Sequence, residues 1–260
     1  ARAMNLRQGL QEMDAFEKNI QFGLSWGKMT DVVLDHLETL ISDAKDIASN
    51  ALIGVTAEER TGSLQILEQA VKDALEMGNT KNGDRYLFSG LADPSPNPPF
   101  TLDDATGQVT YHGDTSRIQV RTGRDSGSLS PVSLNGDEVM SFTQEGPPPR
   151  SVNVIEELWT LREAVATNDT AGIQQAVETL GGALEHIRSQ RAVLASRLSN
   201  LETRQEALSA VKLNSQAQLS DLEDANTAEA IISLQQKQTA FEASLRVTAM
   251  MDDINLMDYL

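Results

Sequence analysis

The chain has 260 residues, of which 40% are hydrophobic and 4% aromatic, and its formal net charge is −17 at pH 7. The negative charge argues against binding to nucleic acid or to an anionic membrane, because both require clustered Lys and Arg. Cysteine is absent, which excludes disulfides, a thiolate nucleophile and Cys-ligated zinc. The length allows one large domain or two small ones, and the low aromatic content favours thin helical packing over a thick globular core.

The first 53 residues predict a long amphipathic helix. They contain no proline, and apolar residues recur in steps of three and four, first at Ala3, Leu6, Leu10, Met13, Ile20 and Leu24 and then at Val33, Leu37, Leu40, Ala44, Ile47 and Ala51. The opening "ARAMNLRQGL" has no initiator Met and no signal region. We therefore expect the sequence to be a fragment that begins inside a helix. A capping box at Thr56 and Glu59 then predicts a second helix, which ends near Gly78.

Residues 91–149 differ in character from the helical segments. "ADPSPNPP" excludes a helix, because proline lacks the amide donor and restricts the residue before it. The alternations "QVTYH" and "RIQVR", joined by "GDTS", predict a β-hairpin, and "LNGDEV" predicts a second turn. "EGPPPR" closes the segment, and Asn153 and Glu156 have capping-box spacing at the next helix start. We expect few contacts of the helices to depend on this segment.

The strongest periodicity lies between Ile173 and Leu222. Positions in strict alternation of four and three hold mostly apolar residues, as the seam of a coiled coil requires. The phase is unbroken through Gly181 and Gly182. The pattern predicts one helix of about 50 residues. Because the first helix has a similar length, we expect the two to form an antiparallel pair, with 57–77 and 153–167 packed alongside.

A joint and a new helix are predicted at "DLEDANTAEA", where Asn226 and Glu229 have the spacing of an N-cap and its third helical residue. The helix that follows carries apolar residues for which the rest of the chain offers no evident cover. This terminal stripe comprises Ile231, Leu234, Phe241, Leu245, Val247, Met250, Met251, Ile254, Met257 and Leu260.

The sequence predicts no catalytic, cofactor-binding or metal site. The three histidines, His36, His112 and His186, lie far apart and lack metal-ligand spacing. The glycine-rich nucleotide motifs and the serine-hydrolase motif are also absent. "NDT" at Asn168 fits a glycosylation sequon as well as a helix cap, and we prefer the cap.

Three stretches carry a resemblance to a known family. "NTKNGDRYLFSG" at 79–90 follows the second helix, "LSDLEDANTAEAIISLQQKQTAFEASLRV" spans 219–247, and the chain ends "NLMDYL". Together with the order of elements, these stretches resemble the flagellin family and, within it, the proteins of the hook–filament junction. Filament flagellins are similar in layout but usually lack the Tyr-Leu-Phe triplet of the turn. The resemblance covers both helical ends, whereas residues 91–149 match only loosely.

The resemblance implies a mainly α fold with three parts. Residues 1–90 and 150–225 would form a long antiparallel helical rod, a coiled-coil bundle, and 91–149 a small β-rich insertion. Residues 226–260 would be a helix of the inner layer of a tubular assembly, for which the N-terminal partner helix is missing from the given sequence. The resemblance also implies that Tyr86, Leu87 and Phe88 anchor the insertion to the rod, and that the terminal stripe makes the contacts between subunits.

The function implied by the resemblance is that of a non-enzymatic structural subunit joining the flagellar hook to the filament. Such a subunit is secreted through the flagellar export apparatus and lies outside the cell, without a cofactor. Its partners would be copies of itself in a ring, the neighbouring hook-associated protein, flagellin and an export chaperone, with no nucleic acid and no membrane. One alternative is filament flagellin, which the turn at 79–90 argues against. A soluble enzyme with its active site in 91–149 would need convergent titratable groups, and we identify none.

Overall fold

The computed structural model describes residues 2–92, 97–146 and 148–253. The helices are α1 (Arg2–Ile53), α2 (Ala57–Gly78), α3 (Gly136–Met140), α4 (Val154–Thr167) and α5 (Thr170–Asp253). The strands are β1 (Lys81–Asn82), β2 (Arg85–Tyr86), β3 (Phe100–Leu102), β4 (Val109–Tyr111), β5 (Gln119–Arg121), β6 (Leu129–Pro131), β7 (Ser141–Gln144) and β8 (Arg150–Asn153). The predicted fold class, mainly α with a small β-rich part, is confirmed.

The chain divides into two compact units, one of residues 16–206 and one that combines 1–15 with 207–260. Helices α1 and α5 each contribute to both units. The predicted division into a rod, an insertion and a terminal helix stays a prediction. Of the described helices, none is both long enough and apolar enough to cross a membrane.

Within residues 16–206, α1 and α5 pair in antiparallel fashion, as predicted. Arg191 of α5 binds Asp31 of α1, whereas Glu202, further along α5, lies 3.9 Å from Lys28, which comes earlier on α1. The heptad residues Leu194 and Leu201 are 1% exposed. The apolar seam is therefore covered, and burial of each such side chain contributes about 1.5–3 kcal/mol.

Helix α5 is longer than predicted. It runs without interruption from Thr170 to Asp253, 84 residues, and its backbone is helical through Asn226. The predicted joint and new helix at Asn226 are therefore wrong. Asn and Glu at this spacing cap a helix only where the chain leaves the helical conformation, and no Gly or Pro interrupts residues 183–253. Asn within a helix costs only about 0.7 kcal/mol relative to Ala.

The predicted helix starts agree with the structure to different extents. At α2, the Glu59 amide donates to the Thr56 hydroxyl (3.2 Å) and the Thr56 amide donates to the Glu59 carboxylate (2.7 Å), which confirms the capping box. At α4, the Asn153 side chain accepts hydrogen bonds from the first turn. However, the Glu156 carboxylate accepts from the Val109 amide (2.7 Å) and so binds the middle segment, residues 91–149.

The strands form four separate two-stranded antiparallel sheets, β1–β2, β3–β4, β5–β6 and β7–β8. The predicted hairpin between "QVTYH" and "RIQVR" is wrong, because these segments belong to different sheets. The linker "GDTS" binds elsewhere: the Asp114 amide donates to the Ser89 carbonyl (3.1 Å), and its carboxylate accepts from the Leu91 amide (3.0 Å). "LNGDEV" does not form the predicted second turn either, since Asn135 caps the short helix α3.

The middle segment packs against α1. A Cβ atom placed on Gly23 would lie 2.7 Å from Val132 and 3.4 Å from Val120. The Asn19 side chain donates to the carbonyl of Arg121 at 2.9 Å. The expectation that few contacts depend on this segment is therefore wrong: Val120 of β5 and Val132, which follows β6, pack directly on the helix.

Candidate assembly surface

The described part of the terminal stripe lies in solvent. Its residues Ile231, Leu234, Phe241, Leu245, Val247 and Met250 are between 52% and 67% exposed. From Thr227 to Met250, every side chain of the helix that the structure describes is exposed. The side chain of Met251 and the residues Ile254, Met257 and Leu260 lie outside the described part of the chain.

The helical geometry divides this stripe between two faces. Successive residues of an α-helix are rotated by about 100°, which places Leu234, Phe241 and Leu245 within a narrow arc together with Ile231. Val247 and Met250 project from the opposite side of the helix. A helix that is apolar on more than one side is typical of one buried among several neighbours. One covering partner would leave apolar side chains exposed.

The compact unit of 1–15 and 207–260 contains ion pairs between its two helical segments. Lys212 binds Asp14 at 2.7 Å, and Arg7 binds Glu223 at 2.7 Å. These exposed pairs contribute at most about 1 kcal/mol each. Beyond Glu223, the side chains of α5 that the structure describes are all exposed.

A cluster of charges occupies the α1–α5 seam in the other unit. Arg191 stands at a heptad position of the predicted seam, and its guanidinium lies 2.8–3.0 Å from carboxylates of Asp31, Asp35 and Glu38. Arg188 binds Glu38 at 2.7 Å. The hydrogen bond from Arg188, followed by that from Arg191, lowers the pKa of Glu38 below its ordinary value. A polar group at a single seam position fixes the register of a coiled coil.

Sequence reasoning did not identify this cluster, although a signal for it is present. Asp31, Asp35 and Glu38 follow one another in steps of four and three, so they share a face of α1. An arginine at an otherwise apolar heptad position is the complementary signal on α5. The two signals lie more than 150 residues apart, and only the helix register brings them together.

The predicted anchor residues lie where α2 gives way to the middle segment. Leu87 and Phe88 are at most 1% exposed. Tyr86 is half-buried, and the ammonium of Lys81 lies 4.5 Å from its ring centre. The link to the middle segment runs through the backbone, because the Phe88 carbonyl accepts from the Gly136 amide at 2.9 Å. The anchoring role of the three residues stays a prediction.

Tyr111 completes this connection and was missed from the sequence. Its hydroxyl lies 2.7 Å from the Phe88 carbonyl and 2.9 Å from the Asp114 carbonyl, and it accepts from the Gly136 amide. Burial raises the pKa of Tyr111 to about 12. A half-buried phenol that bridges backbone groups is consistent with a structural role, and Tyr111 contributes it from strand β4.

A buried carboxylate lies at the contact of α4 with β8 and α5. Glu157 is 5% exposed, and its carboxylate lies 3.2 Å from the Arg150 guanidinium. Arg150 also donates to the Thr179 hydroxyl at 3.3 Å. Burial raises the pKa of Glu157 above its ordinary value, against the opposing effect of Arg150. This carboxylate has the partners that buried charges require.

The structure keeps the three histidines apart. His112 lies 2.9 Å from the Thr101 hydroxyl, and His186 lies 2.8 Å from the carbonyl of Glu138. His36 is exposed on α1. Within the described ranges, no group of three or more His, Asp or Glu side chains could hold a metal ion. "NDT" forms the turn between α4 and α5, where Asn168 ends α4 in the left-handed conformation (φ 55°).

Comparison with known proteins shows that the chain is similar to flagellar proteins. Residues 177–260 match the family model described as the bacterial flagellin C-terminal helical region. The flagellar hook-associated protein 3 of Salmonella typhimurium is 26% identical over 242 residues, which cover 86% of this chain and 74% of that protein.

Two solved structures share the fold. A putative flagellar hook-associated protein from Vibrio parahaemolyticus superposes with a TM-score of 0.73 at 16% identity, over 85% of this chain and 95% of that one. The flagellar hook-associated protein 3 of Legionella pneumophila superposes with a TM-score of 0.72 at 16% identity, over 85% of this chain and 99% of that one. The family model, the relative and the solved structures agree: the chain is similar to proteins named flagellar hook-associated protein 3, and its C-terminal third matches the flagellin C-terminal helical region.

Proposed function

We propose that this chain is a structural, non-enzymatic subunit of the bacterial flagellum that joins the hook to the filament. The relatives named hook-associated protein 3 support this role, and so does the antiparallel helical rod. Its binding partners would be its own copies in a ring, the neighbouring hook-associated protein on one side and flagellin on the other. Secretion through the flagellar export apparatus, with a chaperone before export, belongs to the same proposal.

The observation that carries the proposal is the solvent exposure of the C-terminal part of α5. Apolar side chains project from two sides of this helix, and every described side chain from Thr227 to Met250 is exposed. An isolated helix is marginally stable in water unless its apolar face is covered. In a tubular assembly, neighbouring subunits would cover both sides. Each residue buried there contributes at roughly 25 cal/mol per Å² of apolar area.

The predicted anchor has a part in this function. Phe88 is fully buried, and its carbonyl binds both Gly136 and Tyr111. We therefore infer that Tyr86, Leu87 and Phe88 fix the middle segment to the rod, so that subunits can meet over a rigid outer surface.

Complementation tests the proposed function. The full-length protein is expressed in cells of its own species that lack the gene, and filament growth and swimming are scored. A variant with Leu234→Asp and Leu245→Asp places two carboxylates on the apolar face. The matched control carries Ser233→Asp and Ser244→Asp, which add the same charge to the same helix between its apolar faces.

We expect the wild type and the serine variant to restore filaments, and the leucine variant to be secreted without restoring them. Circular dichroism of the purified proteins would verify that both variants keep the folded rod. A folded, secreted wild-type protein that restores no filament would contradict the proposal. Filaments that grow normally with the leucine variant would show that the terminal stripe is not required for assembly.

A further inference from the structure

A groove between α1 and α2 has a volume of about 350 Å³. Its apolar floor includes Leu40, Ala44 and Ile47 of α1 and Ile66, Ala70 and Met77 of α2. Ile66 is 56% exposed, so part of this floor is open to solvent. The volume lies in the range of binding sites, and residues of two helices line it.

Two carboxylates line the groove, those of Asp43 and Asp73. Asp73 accepts a hydrogen bond from Gln69, at 2.7 Å. Asp43 is exposed, and its carboxylate has no hydrogen bond or ion pair within the described part of the chain. The groove therefore combines an apolar floor with negative charge, which favours an apolar ridge that carries a cation.

The chain itself presents such a ridge further towards its N-terminus. Phe22, Met29 and Val32 of α1 are between 41% and 50% exposed. Lys28 lies beside them with its side chain 67% exposed, and its only ion pair within the described residues is a long contact to Glu202 at 3.9 Å. We call these four residues the Phe22 ridge.

The ridge and the groove match in length and charge. Residues 22–32 span about 15 Å of helix and residues 36–47 about 17 Å. Lys28 is opposite in sign to Asp43 and Asp73. Both surfaces lie on the same face of α1, since positions 22, 25, 29, 32, 36, 39 and 43 follow in steps of three and four. One copy therefore cannot insert its own ridge into its own groove, because both surfaces lie on α1.

We propose that the Phe22 ridge of one copy docks into the α1–α2 groove of a neighbouring copy. Two different surfaces meet in this contact, so it is heterologous and repeats from copy to copy as a ring or a helical array. The inference rests on the proposed function, for which it supplies a specific contact between subunits. Lys28 favours contact of the ridge with the groove over contact between two ridges. Its charge is opposite to that of the acidic groove and equal to that of a second ridge.

Cysteine cross-linking tests this contact directly, because the chain has no cysteine of its own. Ser25→Cys marks the ridge and Thr39→Cys marks the groove, and neither change alters a charge. Thr160→Cys on α4 is the matched control, because Thr160 and Thr39 are both exposed helical threonines whose hydroxyls donate to the carbonyl four residues earlier. Tagged Ser25→Cys protein is mixed with untagged partner under mild oxidation, and the mixed dimer is quantified.

We expect at least fivefold more mixed dimer with Thr39→Cys than with Thr160→Cys. Adding Lys28→Glu to the ridge protein should lower the yield, and adding Asp43→Lys to the groove protein should restore it. Equal yields with both partners would overturn the docking proposal.

Complementation in cells tests this inference independently of the proposed function. A Ser25→Cys, Thr39→Cys protein that restores filaments without cross-linking between its copies would refute the contact and leave the function standing. A wild-type protein that restores no filament would refute the function, whatever the yields in solution.

Discussion

Gly23 of α1 lies directly beneath Val132 of the middle segment, so that a Cβ atom at Gly23 would come within 2.7 Å of the valine Cγ1. Val120 and Leu201 approach the same point at 3.4 Å and 3.2 Å. The missing side chain allows the helix, the β5–β6 sheet and α5 to meet at one place.

Gly23→Ala should therefore destabilise the protein, although alanine favours a helix by about 1 kcal/mol over glycine. We expect a net loss of about 1–3 kcal/mol in the free energy of unfolding, the usual cost of overpacking. Gly62→Ala on α2 is the control, because a Cβ atom there would meet nothing within 4 Å. Urea unfolding measures both, and an equal or smaller loss for Gly23→Ala would contradict the close packing.

Truncation of the seam should reveal which leucines are buried. Leu194 is 1% exposed, so Leu194→Ala should cost about 2–5 kcal/mol. Leu198 is only partly buried against Gly27, and Leu198→Ala should cost about half as much. Denaturant unfolding monitored by circular dichroism distinguishes the two. A loss below half a kcal/mol for Leu194→Ala would contradict the antiparallel seam.

Removal of the Tyr111 hydroxyl tests the connection to Phe88. Tyr111→Phe keeps the ring but loses the contacts to the Phe88 and Asp114 carbonyls, and should cost about 1–3 kcal/mol. Tyr86→Phe removes a hydroxyl from a half-buried ring and should cost less than 0.5 kcal/mol. Thermal unfolding of the two variants provides the comparison. Equal costs would show that the Tyr111 hydroxyl does not hold the segment in place.

Glu157 and Glu38 should give opposite dependences of stability on pH. Burial raises the pKa of Glu157, so its stabilising effect is complete below its ordinary value of 4.5 and is lost as the pH rises through the raised pKa. The pKa of Glu38 is lowered by its hydrogen bonds from Arg188 and Arg191. Its contribution is present above 4.5 and is lost as the pH falls through the lowered value.

Relative to wild type, Glu157→Gln should therefore gain stability as the pH rises above 4.5, whereas Glu38→Gln should lose stability as the pH rises towards 4.5 from below. Urea unfolding at several pH values measures both slopes. Slopes of the same sign would refute one of the two assignments.

The C-terminal part of α5 should be protected only in assemblies. Residues 227–250 have no covered side chain in the described structure, and a helix without cover opens readily. Their amides should exchange with solvent far faster than those of residues 180–201, and the difference should shrink as protein concentration rises. Strong protection in a demonstrated monomer would contradict this.

Local patterns in the sequence predicted much of this fold, because their physical causes are local. The Thr56 capping box depends on residues three apart, and the α5 seam depends on a repeat within one helix. The errors arose where distant residues decide the outcome. Asn226 has the spacing of a cap but remains inside a helix, and "GDTS" binds back to Ser89 and Leu91.

For the candidate assembly surface too, the sequence predicted local features but not contacts between distant residues. Exposure of Phe241 and Leu245 follows from the excess of apolar residues in the terminal helix, and the sequence indicates it. The contacts of Arg191 and Tyr111 could be identified only from the register between elements that are distant in the sequence. No short sequence pattern contains that register.

The contact between Arg191 and Asp31 joins residues 160 positions apart, and this separation determines when the seam can form. Closing a flexible loop of that length costs roughly 4–5 kcal/mol of entropy, whereas the turn between α4 and α5 closes over two residues. Contacts between distant residues slow folding. During synthesis, α1 cannot pack against α5 until the second half of the chain has left the ribosome. The apolar face of α1 is exposed to solvent for that interval.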